Sequence, residues 1–257
     1  MQLATWNVNS LTVRLPQVLD WLAANPVDAL VLQETKCTDD KFPQEAIEAA
    51  GYKVAFFGQK TYNGVALLSR TDAADVVKNI PGFEDDMARV IAGTVDGVRV
   101  IGAYFPNGQA PDSDKFVYKM RWLEALQNWL REELKQHPKL VLMGDFNITV
   151  DDRDVWDPVA LKDTIHCTVE ERDHFQALID LGTHDAFRLF DQAEKSYSWW
   201  DYREFAFRRN RGLRIDHILV SDALKASVQA CVIDKAPRKN ERPSDHAPVV
   251  LSLGAAD

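Results

Sequence analysis

What this sequence of 257 residues lacks narrows its chemistry first. It has three cysteines, Cys37, Cys167 and Cys231. They are far apart and odd in number, so they make neither a disulfide framework nor a zinc pattern, and a reducing compartment is expected. No stretch approaches the ~20 apolar residues of a membrane-spanning helix. The opening Met1-Gln2-Leu3-Ala4-Thr5-Trp6-Asn7 has no basic segment followed by an apolar one. Neither a secretory leader nor a long basic extension is expected, and the expected location is cytoplasmic, away from any membrane. No linker, low-complexity tract or fixed-period repeat interrupts the chain, so a single domain over residues 1–257 is expected. GxSxG elbows and Walker loops are also missing, which argues against acyl transfer and nucleotide-phosphoryl transfer.

The composition is that of an ordinary globular protein, with 46% apolar and 27% charged residues. A chain of this size buries roughly three-quarters of its unfolded surface without a covalent scaffold. Lys and Arg number 30 against 39 Asp and Glu, a net charge of −9. That balance keeps a protein soluble but gives it no overall attraction for polyanions. Binding of nucleic acid or phosphate then requires local basic patches or a bound cation.

Short apolar runs alternate with helical patterns. Ala29–Leu32, Val98–Ile101, Leu140–Met143 and Ile215–Val220 read as strands. Phe116, Met120, Leu123, Leu126, Leu130 and Leu134 recur at helical spacing until Pro138, and Leu11, Leu15, Val18 and Leu22 give a shorter helix. Thr168 followed by Glu171 is a capping box opening a helix with Phe175, Leu178, Ile179 and Leu181. No helix separates the strands at 65–68 and 89–95, so part of the sheet is expected to be antiparallel. The class is mixed α and β.

Polar residues follow the apolar runs. One run ends in Asn7-Val8-Asn9, another in Gln33-Glu34, a third in Asp145-Phe146-Asn147. A fourth leads through Tyr104 to Asn107, and Asp216 and Asp245-His246 add two acids and a histidine. If the chain stays extended, a spacing of two places Asn7 and Asn9, or Asp145 and Asn147, on one side. Singly these are ordinary turn residues. Together they make an oxygen-rich pocket suited to a hard cation such as Mg²⁺ or Mn²⁺. Such a cation offsets phosphate charge, a carboxylate activates water, and an Asp-His pair holds an imidazole against a phosphoryl oxygen. The reaction class is metal-assisted hydrolysis of a phosphate ester.

Six motifs occur in order: Thr5-Trp6-Asn7-Val8-Asn9-Ser10-Leu11, Leu32-Gln33-Glu34-Thr35-Lys36, Gly144-Asp145-Phe146-Asn147, Ser198-Trp199-Trp200-Asp201-Tyr202, Asn210-Arg211-Gly212-Leu213-Arg214-Ile215-Asp216-His217-Ile218-Leu219 and Ser244-Asp245-His246-Ala247-Pro248. From about Met1 to Leu253 the chain resembles the exonuclease III family of the endonuclease/exonuclease/phosphatase superfamily, bacterial DNA-repair nucleases. The resemblance implies a four-layered α/β sandwich, two packed mixed sheets flanked by helices. It implies Glu34 as the main ligand of Mg²⁺ or Mn²⁺, with Asn7, Asn9 and Asp245 close by. Asp145 would activate water, Asn147 would bond that water or the transition state, and His246, oriented by Asp216, would contact the scissile phosphate. Tyr104 would sit near the phosphate or leaving oxygen, and Asn107 would contact a phosphoryl oxygen. Trp199 and Leu213 match the family's sugar-pocket positions, and Lys36 and Arg211 join the expected substrate contacts.

The implied substrate is double-stranded DNA with 3′ ends, nicks or abasic lesions, handled by a monomer. Arg203, Arg208, Arg209, Arg211, Arg214, Arg238, Lys239 and Arg242 would supply the local positive charge, while Phe205 and Phe207 are expected in the core. One departure stands out: where the family usually has Gly or Ser, a few residues before Glu170-Glu171-Arg172, this chain has His166. An imidazole bordering the sugar pocket would obstruct DNA continuing past a lesion, sparing 3′-end processing and weakening abasic-site incision. The alternative is that His166 points to solvent and the chain is a full abasic-site endonuclease. More distant alternatives are a lipid or small-molecule phosphatase on the same fold, and a non-catalytic DNA-binding relative, which should have lost Glu34, Asp145 or His246.

Overall fold

The computed structural model describes residues 1–255; the last two residues of the expected domain, Ala256 and Asp257, lie outside the described residues. In chain order the strands are β1 (Gln2–Asn7), β2 (Ala29–Gln33), β3 (Lys53–Phe57), β4 (Val65–Ser69), β5 (Ala74–Lys78), β6 (Val90–Val95) and β7 (Val98–Tyr104). They continue with β8 (Leu140–Asp145), β9 (Thr183–Asp185), β10 (Trp199–Trp200), β11 (Gly212–Leu213), β12 (Asp216–Ser221), β13 (Val228–Ile233) and β14 (Val249–Leu253). The helices are α1 (Leu11–Ala24), α2 (Gln44–Ala49), α3 (Asp114–Gln136), α4 (Val169–Asp180) and α5 (Asp222–Lys225).

Two six-stranded sheets form, ordered β13-β14-β1-β2-β4-β3 and β5-β6-β7-β8-β12-β9. Each has one parallel pair, β1 with β2 and β7 with β8, and the other pairs are antiparallel. The parallel pairs are the ones joined through helices, α1 and α3, because a parallel return needs a crossover. Three apolar layers hold the molecule together. One, with Val31, Leu67, Val100 and Met143, lies between the sheets. A second packs the β7–β8 sheet on Trp122, Leu126 and Phe175 of α3 and α4. The third packs the β1–β2 sheet on Leu11, Val18 and Ile47 of α1 and α2. The result is the four-layered α/β sandwich the resemblance implied.

The helix starts follow their local chemistry. Ser113 caps α3 by accepting from Phe116 N–H, and Thr168 and Glu171 complete both halves of the capping box that opens α4. The strands at 65–68 and 89–95 are not neighbours: β4 and β6 lie in different sheets, each with antiparallel partners of its own. Alternating hydrophobicity marks a strand but not the sheet that receives it. Gly144 is required just before Asp145, because a Cβ there would sit 1.8 Å from the Ala103 carbonyl oxygen of the adjacent strand.

Candidate active site

Register alone brings three of the polar tips together. Tyr104, the last residue of β7, lies opposite Asp145, the last of β8, and Asp145 lies opposite Asp216, the first of β12. On the facing sheet Asn7 pairs with Gln33, so Glu34 follows at the same end. The two ends meet where Asn7 Nδ2 donates to Asp145 Oδ2 at 2.9 Å. The segment entering β14 closes the group, with Ser244 Oγ donating to the Asn7 carbonyl at 2.6 Å and His246 hydrogen-bonded through Nδ1 to Asp216 Oδ2 at 2.8 Å. Ser198 was not anticipated from sequence; its Oγ accepts from the N–H groups of Ile215 and Asp216 and fixes the start of β12.

The spacing-by-two expectation needs correction. Asn9 and Asn147 do not continue their strands, since both have left-handed backbones, with φ of 45° and 51°. Each instead closes a turn in which the strand-end side chain accepts the N–H two residues on: Asn9 N–H to Asn7 Oδ1 and Asn147 N–H to Asp145 Oδ1, both 3.0 Å. The turn uses one oxygen of Asp145, and Asn7 uses the other. Glu34 (φ 53°), Lys36 (φ 55°) and His166 (φ 74°) are also left-handed. Non-glycine residues seldom adopt that region, and its strain gathers at functional sites.

His246 Nε2 faces Asp145 Oδ2 at 3.5 Å. Burial disfavours the charged imidazole, but the carboxylates of Asp216, Asp145 and Asp245 outweigh burial and hold it well above its ordinary value. Burial raises the Asp145 carboxyl, as do Asp216 and Glu34, while His246 opposes the rise. Tyr104 donates to Glu34 Oε1. Burial, then the charges of Glu34 and Asp145, keep that phenol protonated.

The donor set fits a hard cation. Asp216 Oδ1 and Asp245 Oδ1 are buried with no hydrogen-bond partner among the described residues, an arrangement that is costly unless a cation or its waters satisfy them. Among the described residues, ligand atoms of Asp145, Asp216 and His246 lie within 4.8 Å of one another. His246 bonds Asp216 and faces Asp145, so it is better placed to donate hydrogen bonds than to ligate. Glu34 Oε2, 3.5 Å from Lys36 Nζ, is left to share beside the Asp245 Oδ1 and Asp216 Oδ1 atoms. Asn9 is less available than expected: its Oδ1 accepts from Lys36 Nζ at 2.7 Å and its Nδ2 reaches Tyr202.

Beside this group lies a cavity of about 570 Å³ whose walls include Trp156, His166, Trp199, Arg211 and Leu213. Trp199 links it to the polar group, its Nε1 donating to Asp245 Oδ2 at 3.0 Å. Arg211 lies over the Trp156 ring. Asn107 is exposed, its Oδ1 accepting from Gln109 N–H. His166 does not point to solvent. It is only 9% exposed, with Nδ1 bonded to the Asn147 carbonyl at 2.8 Å, and burial followed by the Lys119 charge pushes its imidazole down to about 3. Three other expectations fail. Arg214 is buried against Asp154 and Asp185, and Arg238 is buried over the Phe207 ring, so neither faces solvent as a phosphate contact would. Phe205, expected in the core, is 71% exposed on a left-handed turn.

The profile of the Endonuclease/Exonuclease/phosphatase family matches residues 4–246. Exodeoxyribonuclease III of Haemophilus influenzae is 36% identical over 97% of this chain and 98% of its own length. Exodeoxyribonuclease of Bacillus subtilis is 33% identical over 98% of this chain and 99% of its own. Among solved structures, the 3′ phosphatase NExo from Neisseria, bound to a product DNA hairpin, superposes with a TM-score of 0.98 at 50% identity, covering 99% of this chain and all (100%) of that one. An AP endonuclease from Archaeoglobus fulgidus gives 0.96 at 36% identity, with 99% and 100% covered.

Proposed function

Because this chain belongs to the endonuclease/exonuclease/phosphatase family, we propose that it hydrolyses phosphate esters at the 3′ ends of double-stranded DNA. Its work is base-excision repair, as a 3′→5′ exonuclease and a 3′-phosphatase or phosphodiesterase. The single observation that carries this reading is the inter-sheet joint, where Asn7 and Asp145 meet beside His246 and the Trp199–Leu213 cavity opens next to them. A relative 50% identical over nearly the whole chain is described as a 3′ phosphatase and another solved structure of NExo as a 3′-5′ exonuclease, which supports the choice of substrate. We place the whole activity in one cytoplasmic, monomeric domain.

The exonuclease III family depends on a divalent metal, and we assign Mg²⁺ or Mn²⁺ to Glu34 and Asp245, with Asn7 adjacent and Asn9 acting through Lys36. When bound, the ion offsets phosphate charge and lowers the pKa of water. The chain's own residues do the rest. Asp145, anchored at one oxygen by the Asn147 N–H and at the other by Asn7, takes the proton of the attacking water. Burial, with the charges of Asp216 and Glu34, raises its carboxyl and so strengthens it as a proton acceptor. His246, charged and aligned by Asp216, gives a hydrogen bond to a phosphoryl oxygen. Tyr104 keeps its proton beside the leaving oxygen, and the Asn147 amide bonds the transition state. Trp199 and Leu213 pack on the terminal sugar, while Asn107, Lys36 and Arg211 meet phosphates.

His166 restricts the substrate. Its buried ring occupies wall space that a small residue would leave open, so a free 3′ end enters while duplex continuing past an abasic site fits poorly. A full AP endonuclease is the second reading, favoured by the likeness to the Archaeoglobus fulgidus enzyme. The test is a panel: 3′-phosphorylated nick, 3′-recessed duplex, intact abasic duplex and a small phosphate ester, each with Mg²⁺ and with chelator. We expect metal-dependent cleavage of the first two and slow cleavage of the third, accelerated in His166→Gly. Efficient abasic incision by the wild type would remove the restriction assigned to His166, and turnover of the small ester alone would remove the DNA reading.

A further inference from the structure

Lys119 sits within α3 with its ammonium fully buried. Its Nζ donates to the carbonyl of Asn107 at 3.1 Å, to the carbonyl of Asn147 at 2.7 Å, and to Glu171 Oε2. Glu171 is itself committed at the start of α4. Its Oε1 accepts from the Thr168 N–H and hydroxyl, and its Oε2 accepts from the His166 N–H at 3.2 Å. The Asn147 carbonyl has a second donor, His166 Nδ1. One buried ion pair therefore ties together the three turns that carry Asn107, Asn147 and His166.

The chemistry at His166 follows from this arrangement. A carbonyl oxygen only accepts, so Nδ1 must hold the ring proton. In the neutral ring Nε2 is then bare, with no partner among the described residues, on a side chain that lines the substrate cavity. Two of the tethered residues, Asn147 and His166, have left-handed backbones, which persist only where surrounding bonds over-determine them. A pair serving only to join α3 to α4 could be replaced by apolar residues at little cost, and would have no need to reach two main-chain carbonyls in substrate loops.

We propose that Lys119, neutralised by Glu171, is a positioning residue: its ammonium sets the register of Asn107, Asn147 and His166 around the 3′-terminal nucleotide and holds in place the Asn147 carbonyl that selects the Nδ1–H tautomer of His166. The inference rests on the 3′-end nuclease reading. Wild-type turnover of a 3′-phosphorylated nicked duplex with Mg²⁺ is measured first, and its absence would remove that reading whatever Lys119 does. Lys119→Met alone leaves a buried carboxylate unpaired and is at risk of not folding. The double variant Lys119→Met/Glu171→Gln removes both charges; the glutamine oxygen keeps the Thr168 cap, but its NH2 faces the His166 N–H, so Glu171→Gln alone is measured beside it and the loss assigned to Lys119 is the difference. With small displacements of reacting groups costing up to ~100-fold, the folded double variant should lose at least ~10-fold in kcat with KM moved less than ~3-fold. A purely structural pair predicts the opposite pattern, a lower Tm with kcat within ~2-fold of wild type, and that result overturns the proposal. Imidazole ¹⁵N NMR of the wild type, assigned with His166→Gln, is independent of the variants' folding. A protonated Nδ1 with bare Nε2 supports the tether, and the opposite tautomer overturns it.

Discussion

At Asp145 the surroundings decide what a carboxylate can do. Both oxygens are already hydrogen-bonded, to Asn7 and to the Asn147 N–H, so the group is aimed before substrate arrives. Replacing it with Asn keeps the shape and removes the base, and kcat should fall by about 10²–10⁴-fold, the usual worth of a general base. DNA affinity, read by fluorescence anisotropy, should change little; a large loss of binding would mean Asp145 holds substrate instead. Glu34 makes a different prediction. Its carboxylate is shared between Tyr104 and Lys36, and Glu34→Gln removes one negative charge from the assigned ion site. The Mg²⁺ concentration for half-maximal rate should rise several-fold, and an unchanged metal titration would count against Glu34 as a ligand.

At the scale of elements, buried charge holds the loops that flank the site. Arg214 pairs with Asp154 in a 3₁₀ turn and with Asp185 in β9, and Arg188 adds a further bond to Asp154. Burial would raise both carboxyls, but Arg214 outweighs it and holds them below the ordinary value. Their contribution to stability is thus present above the unfolded value of about 3.9 and is lost as pH falls through the lower folded value. Arg214→Met leaves two buried carboxylates without their main partner, a loss of about 3–5 kcal/mol near neutrality. Those carboxyls then protonate more readily when folded than when unfolded, so acid relieves the defect. The gap in Tm between wild type and variant should be widest at neutral pH and narrow towards about pH 3. A constant gap across that range in calorimetry would show that packing, not charge, accounts for the loss. Sequence could not reveal this network, because an arginine in an Arg-rich stretch reads as surface charge until its partners, 60 and 29 residues away, are placed beside it.

Across the whole molecule, the strand tips were legible and their meeting was not. Asn7, Glu34, Tyr104, Asp145 and Asp216 each end or begin an apolar run, a local signal. The Asn7–Asp145 bond spans 138 residues and two sheets, and alternating hydrophobicity carries no sheet address. Lys119 was missed because its positive charge hid a buried position, and Phe205 was misassigned because an aromatic residue reads as core until a left-handed turn aims it outward. The spacing of the two sheets therefore becomes a determinant of activity. Gly102 in β7 lies against Val31 in β2, where an added Cβ would sit 2.8 Å from the valine Cβ and Cγ1. This contact is two residues before Tyr104 on one sheet and three before Glu34 on the other. Gly102→Ala forces the sheets apart at that point, an overpacking loss of roughly 1–3 kcal/mol, and draws Asn7 away from Asp145. Both Tm and kcat should fall. Val31→Ala on the same chain removes the Cγ1 clash but keeps the Cβ one, so it should restore part of both losses together, as residues in direct contact couple. Recovery of Tm without recovery of kcat would mean that sheet separation does not set the geometry of the reacting groups.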